Sequence, residues 1–504
     1  MARMARMARD AGTWPDEQQE PAGAGRSRAV PWVATATGVV LLILAPRYGP
    51  HRDELYFVVA GHHPQRGYPD QPPLTPLLAA FLHDLAPGSL VALRSVSALL
   101  VVLVVWLAAD LARAFGASRH GQLLSAVVVA VGPGVLSVGH LLSTSTLDLA
   151  VWVGLTRLAV TALGSGDRRW WLAVGLLLGV GLENKTLPAF LALGLVVGLA
   201  GSPRFRGHLA SPWLWAAALV AVALWAPNLH WQATHGWPQL ELGADIRAED
   251  GGLLGAVTLV GFQLLLLGPI GGYLAVRGLG VGLRNRTGLV APVATAYVVV
   301  LAVLLATGGK HYYTLGLLVA LAAAGAARSS PALPAPAPGR PRSSWFVWIA
   351  AIAGLVPLPS ALPVLPAPVY AATPWAAIND DQLNTIGWPT VVAQVRDVVD
   401  QQPAGVVVLS QNYGEAGAWS WFTGRPAWSG HNGYADWGPP PESSGPVVLL
   451  GDREPDPDLW DGCRLAATLD PGVDNEEFGA RVWVCAGPVG SWSRVWPRQR
   501  HLSA

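Results

Sequence analysis

Lysine is almost missing from this 504-residue chain: Lys185 and Lys310 are the only two, and every other basic side chain apart from histidine is arginine. Charge of either sign is thin, at 13% of residues with a net charge of +1, which excludes a nucleic-acid partner held by a basic surface. Two cysteines, Cys463 and Cys485, leave a metal site short of a third ligand. What fills the chain instead is apolar: 52% of residues are hydrophobic and mean hydropathy is +0.38. These residues come in long runs with no polar face at helical spacing, and such runs need a bilayer around them.

A span takes about 20 predominantly apolar residues. By that criterion the chain offers about eleven, near 30–46, 90–109, 121–139, 143–163, 170–183, 186–200, 212–229, 252–276, 289–307, 312–327 and 345–365. The pair across 170–200 is also readable as one kinked element broken at Glu183-Asn184-Lys185. The expectation is a polytopic α-helical membrane protein in three parts. Residues 1–28 read as a disordered cytoplasmic leader, 29–365 as a transmembrane domain with its first outer loop at 47–89, and 366–504 as an extracytoplasmic domain. With the N terminus inside, the inner segments carry seventeen arginines and the outer ones seven lysines or arginines, so the positive-inside rule favours an odd number of spans in the cell membrane. Ser329 to Ser344, rich in proline and alanine, reads as an inner linker.

This topology gathers the polar motifs on one side. Directly after the first span stands His51-Arg52-Asp53-Glu54-Leu55-Tyr56, followed by Tyr68-Pro69-Asp70-Gln71-Pro72-Pro73-Leu74. Asp148 lies about two turns inside the outer end of the fourth span. Glu183-Asn184-Lys185 and Lys310-His311-Tyr312-Tyr313 cap later spans on the same face. Ionisable groups at or within a membrane are costly and mark function by default. Plainer readings stand beside that one. The acidic pair can cap a short helix, and Asp70 can cap the turn made by Pro72-Pro73. Asp148 can pair with a neighbouring helix, and Lys with Tyr can anchor at the headgroups. A GC-rich genome also favours arginine over lysine codons. His311 and His62-His63 lack a ligand spacing for zinc.

Taken together, the outer-loop Asp53-Glu54, the Tyr68-to-Leu74 segment, Asp148 in Leu-Asp-Leu-Ala, Gly181-Leu-Glu-Asn-Lys-Thr and Gly309-Lys-His-Tyr-Tyr resemble glycosyltransferase family 39. That family holds the protein O-mannosyltransferases and the lipid A aminoarabinose transferases. The resemblance implies the integral-membrane C-type glycosyltransferase architecture, a polyprenyl-phosphate sugar donor, an acceptor arriving from outside, and inversion at the anomeric carbon. Matched residue by residue, it implies Asp53 as the base that takes the acceptor proton, with Glu54 orienting the acceptor or tuning Asp53. Sugar transfer also needs cations against the departing phosphate. Lys185 and Lys310 suit that role, with Asp70, Asp148, His311, Tyr312 and Tyr313 as further substrate contacts. A divalent ion shared by carboxylates and phosphate is left open, and no other cofactor is required. The transferred sugar is expected to be mannose or a pentose, and the acceptor a cell-envelope glycan, lipid or protein. A polytopic lipid-linked-sugar transporter or flippase is the alternative, although no internal repeat supports it.

From about residue 366 the apolar runs shorten to strand length, as in Gly405-Val-Val-Val-Leu-Ser410 and Pro446-Val-Val-Leu-Leu450, which predicts a small α/β domain. Asn412-Tyr413-Gly414-Glu415 reads as a strand-to-helix transition, and Ser429 to Asn432 with Asp436-Trp437-Gly438 as polar, aromatic loops. Cys463 and Cys485 both lie here, in a compartment that permits a disulfide.

Overall fold

A computed structural model describes residues 25–329, 345–442 and 445–503. The leader expected over 1–28 and the linker from Ser329 to Ser344 therefore lie almost wholly outside the described residues.

Helices make up the first two-thirds. In chain order they are α1 (Val30–Leu44), α2 (Arg52–His62), α3 (Leu74–Leu85), α4 (Leu90–Ala114), α5 (Arg119–Ala130), α6 (Pro133–His140), α7 (Thr144–Gly164), α8 (Trp170–Leu182) and α9 (Pro188–Gly201). They continue with α10 (Pro212–Thr234), α11 (Pro238–Asp250), α12 (Gly252–Gln263), α13 (Gly268–Arg284), α14 (Val290–Thr307), α15 (Leu315–Ser329) and α16 (Trp345–Leu355). Serine hydroxyls start three of them. Ser89 accepts from the Ala92 N–H at 3.2 Å, Ser118 from Gly121 at 3.3 Å and Ser143 from Thr146 at 3.2 Å. Each meets a backbone donor that the helix itself leaves unpaired, worth about 1 kcal/mol.

Among the described residues, α4, α7, α10 and α14 are each long and apolar enough to cross a bilayer. The pairs α5–α6, bent by 55°, and α12–α13, bent by 99°, qualify only when taken together. The eleven continuous spans expected from composition are therefore not matched one for one, and the reasons are local. Pro133 opens α6 just after α5 ends, and Gly268, at φ 68°, with Pro269 behind it restarts the chain in a new direction as α13. Helices α8 and α9, at 13 and 14 residues, reach only about 20 Å at 1.5 Å per residue, against a core of roughly 30 Å.

The helices pack closely where side chains are smallest. A Cβ on Gly278 of α13 would lie 1.9 Å from the Leu321 carbonyl oxygen, and one on Gly325 of α15 would lie 2.0 Å from that of Leu274. Small residues at such crossings let backbones approach inside a bilayer, where burial of apolar surface gives no gain. The outward faces remain apolar: Leu253 is 84% and Leu219 70% exposed.

Short helical turns lead from 358 to 383 into a sheet-containing unit. Here α17 (Trp388–Val399) precedes β1 (Val407–Ser410), α18 (Tyr413–Thr423), β2 (Trp428–Ser429) and β3 (Val447–Gly451). There follow β4 (Trp460–Asp461), β5 (Arg464–Thr468), β6 (Arg481–Cys485) and β7 (Gly487–Pro488). The main sheet runs β2-β1-β3-β6-β5, with β1 parallel to both β2 and β3, and β6 antiparallel to β3 and β5. Strands β1 and β3 are buried at every position, because both sheet faces are covered. Val408, Val448 and Leu450 pack with Val391 and Val395 of α17, while Leu409 and Leu449 pack with Trp460, Trp492 and Trp496. Cys463 and Cys485 are joined by a disulfide with Cα atoms 3.9 Å apart.

Candidate functional site

The acidic pair begins a helix, and its two carboxylates face different ways. His51 is the N-cap of α2: its ring accepts from the Asp53 N–H at 3.2 Å, and its own N–H donates to Glu54 Oε2 at 2.9 Å, a capping box. Glu54 is fully buried, and both its oxygens are used. Oε1 accepts from Arg94 Nε at 2.9 Å and from the Leu142 N–H at 2.9 Å, and Oε2 accepts from Arg94 Nη2 at 2.6 Å. Of the two roles expected of Glu54, orienting the acceptor finds no open surface in this geometry, whereas tuning Asp53 through the start of α2 is compatible with it. A carboxylate with no exposed surface and four hydrogen bonds is an anchor for the start of α2, not a contact for substrate.

Asp53 points the other way and keeps 37% of its side-chain surface open. Its Oδ1 accepts from the Tyr413 hydroxyl at 2.8 Å. Tyr413 comes from α18 in the sheet-containing unit, which can lie on α2 only because its contact residues are glycines. A Cβ at Gly414 would sit 2.6 Å from Arg52 Cβ, and one at Gly417 would sit 2.8 Å from Leu55 Cβ. His431 supports the arrangement, its ring accepting from the Tyr413 N–H at 3.4 Å. Desolvation pushes the Asp53 carboxyl up, but His51, Arg52, the Tyr413 hydrogen bond and the Lys310 ammonium outweigh it, so Asp53 is held below the usual carboxylate range.

Asp70 sits beside it in an opposite condition. Its Oδ1 accepts from the Tyr56 hydroxyl at 3.0 Å, and that hydroxyl in turn accepts from the Gly433 N–H at 3.1 Å. Burial, together with the like charges of Asp53 and Asp436, pushes Asp70 up to about 7 against the Tyr56 hydrogen bond. Two neighbouring carboxyls with separated affinities for a proton are a common arrangement at reaction centres.

The lysines join the same cluster. Lys185, in the break between α8 and α9, donates to Ser145 Oγ at 3.2 Å and lies 4.6 Å from the Tyr313 ring centroid and 5.9 Å from that of Tyr312. Burial pushes it down to about 8, with Asp148 opposing and Lys310 reinforcing, and it also feels the charge of Asp53. Asp148 accepts from Trp152 Nε1 at 2.9 Å and lines a small cavity with Ser145, Tyr312 and Tyr313. His311 packs against Phe262 with ring centroids 5.1 Å apart, on the flank of the cluster. One contiguous end of the bundle thus holds Asp70, Asp53, Lys310, Lys185, Asp148 and the tyrosine pair.

His62 pairs with Asp84 at 2.9 Å, and His63 stacks on Trp437 with ring centroids 4.4 Å apart. Among the described residues no three His, Cys, Asp or Glu side chains converge as metal ligands. Tyr413, Tyr56, Arg94 and Ser145 were not singled out as site residues by sequence reasoning. For Tyr413 a signal existed, since it follows a strand and opens a helix, but nothing local shows that it reaches Asp53.

Residues 70–231 match the family model described as dolichyl-phosphate-mannose-protein mannosyltransferase. The fold is similar to that of ArnT from Cupriavidus metallidurans, with a TM-score of 0.57 at 13% identity, covering 90% of this chain and 97% of that one. This is the C-type glycosyltransferase fold. The resemblance read from the sequence therefore holds. The same ArnT bound to undecaprenyl phosphate matches equally, with a TM-score of 0.57 at 13% identity over 91% of this chain and 97% of that one. The arabinofuranosyltransferase AftD from Mycobacteria matches at 0.50 and 13% identity, covering 92% of this chain and 42% of the longer AftD. A search of curated proteins found no match. The polar cluster lies where the first loop after α1 meets the sheet-containing unit.

Proposed function

We propose that this chain is a multi-pass membrane glycosyltransferase that moves a sugar, mannose or a pentose, from a polyprenyl-phosphate donor to a cell-envelope glycan, lipid or protein on the outer face. The observation that carries the reading is Asp53, a half-open carboxylate that accepts from the Tyr413 hydroxyl, is held below the usual carboxylate range by His51, Arg52 and that hydrogen bond, and lies in the field of Lys310 and Lys185. Asp53 takes the proton of the acceptor hydroxyl as its oxygen bonds to the anomeric carbon. The bond from that carbon to the phosphate oxygen breaks on the opposite face, which inverts the configuration. The electron pair leaves with the polyprenyl phosphate, and the two ammonium groups balance its charge. The ArnT structure with undecaprenyl phosphate supports a polyprenyl-linked donor for this fold. The same reading puts the N terminus in the cytoplasm and residues 366–504 outside the cell membrane.

The test uses purified full-length protein, radiolabelled polyprenyl-phosphate sugars and envelope acceptors. Asp53→Asn lowers transfer by about 10²-fold or more, as expected for a lost general base. Undiminished transfer in that variant rejects the assignment of the base. Movement of intact donor lipid across vesicles without sugar transfer replaces the transferase reading with a flippase.

A further inference from the structure

A second charged cluster lies at the other end of the bundle. Sixteen residues along α4 separate Arg94, which anchors Glu54, from Asp110, roughly 24 Å at 1.5 Å per residue. Asp110 is 7% exposed and meets three arginines. Its Oδ1 accepts from Arg113 Nε at 3.0 Å and Nη2 at 2.9 Å, its Oδ2 accepts from Arg157 Nε at 2.6 Å, and Arg26 Nη2 approaches to 3.6 Å. One carboxylate among three guanidiniums leaves two positive charges in excess. Arg26 is 65% exposed, sits 5.3 Å over the Trp106 ring, and makes no other polar contact among the described residues. It stands on the rim of a cavity of about 50 Å³ lined also by Ser27, Val30, Trp106, Asp110 and Gln122. Trp32, 77% exposed at the start of the apolar α1, puts this rim at the depth where tryptophan marks a membrane interface.

We infer that the cavity between Arg26, Trp106 and Asp110 binds a phosphate anion, supplied by the headgroup of an anionic phospholipid, at the end of the bundle away from Asp53. The surplus charge supplies the attraction, and the unused Arg26 donors match phosphate oxygens. The interfacial position favours a lipid over a free ion. Basic pockets between helices are suited to such headgroups. The site is independent of the transfer reaction proposed above.

The experiment is native mass spectrometry on delipidated full-length protein with phosphatidylglycerol or phosphatidylcholine, repeated with inorganic phosphate as competitor. Wild type retains phosphatidylglycerol over phosphatidylcholine, and Arg26→Gln lowers that retention about fivefold. Arg28→Gln, the same charge change two residues away on an exposed side chain, leaves it unaltered. An adduct that resists inorganic phosphate assigns a lipid source, and one that it displaces assigns a free phosphate at the same residues. Equal retention of the two lipids, or equal effects of Arg26→Gln and Arg28→Gln, overturns the site. Because Arg26 is largely exposed, its substitution leaves folding intact, which an unchanged melting curve verifies.

Discussion

Replacing Arg94 by lysine tests how the proposed base is held in place. The five guanidinium donors of Arg94 meet five acceptors: both oxygens of Glu54 at 2.9 and 2.6 Å, the carbonyls of Ala45 and Gly49 at 2.7 Å each, and His140 Nε2 at 3.2 Å. An ammonium has three donors on one atom, so at least two of these acceptors lose their partner. At about 1–3 kcal/mol for each buried group left unpaired, Arg94→Lys costs about 2–6 kcal/mol. A double-mutant cycle with Glu54→Gln isolates the pair, with a coupling expected above about 2 kcal/mol, whereas an exposed ion pair gives about 0–1. The assay is unfolding by dodecyl sulfate in mixed micelles, followed by tryptophan fluorescence. A destabilisation or a coupling below about 1 kcal/mol refutes the anchoring role and reopens Glu54 as a group at the reaction centre.

Three further outcomes are expected. Tyr413→Phe removes a hydrogen bond that holds Asp53 below the usual carboxylate range, so the acidic limb of the kcat/KM profile moves to higher pH while the alkaline limb stays; an unmoved acidic limb rejects Tyr413 as a partner of the base. Asp70 is raised in the folded state to about 7 from 3.8, so its contribution to stability is complete below pH 3.8 and is lost as pH rises through about 7; Asp70→Asn flattens melting temperature across that window, and an unchanged slope contradicts the burial argument. The Cys463–Cys485 bridge spans 22 residues, so a double replacement by serine lowers stability by about 3 kcal/mol, read by the same detergent titration with and without reductant.

The sequence was informative where a group is costly in its surroundings. Asp53, Asp148, Lys185 and Lys310 stand out because an ionisable side chain near a bilayer needs a reason, and all four fall in one cluster. The same logic fails for Glu54. Adjacent helical residues point about 100° apart, and which of the pair turns inward is decided by Arg94, 40 positions away. Tyr413 was hidden for a related reason: its role exists only once α18 docks on α2, which rests on two glycines unremarkable in themselves. Apolar composition also reads through breaks in the backbone. It marks 121–139 and 252–276 as single spans, but Pro133 and Gly268 bend the chain inside them.

The bond between Tyr413 and Asp53 joins residues 360 positions apart. A ribosome has made all of α1 to α16 before it adds the tyrosine, so a nascent chain carries the first-loop aspartate for most of its synthesis without this partner. Completion of the centre thus waits on the late-made unit settling against α2. A protein cut after residue 365 inserts with its acid present but lacks the hydroxyl beside it, and supplying the missing portion as a separate chain is the way to rebuild the pair.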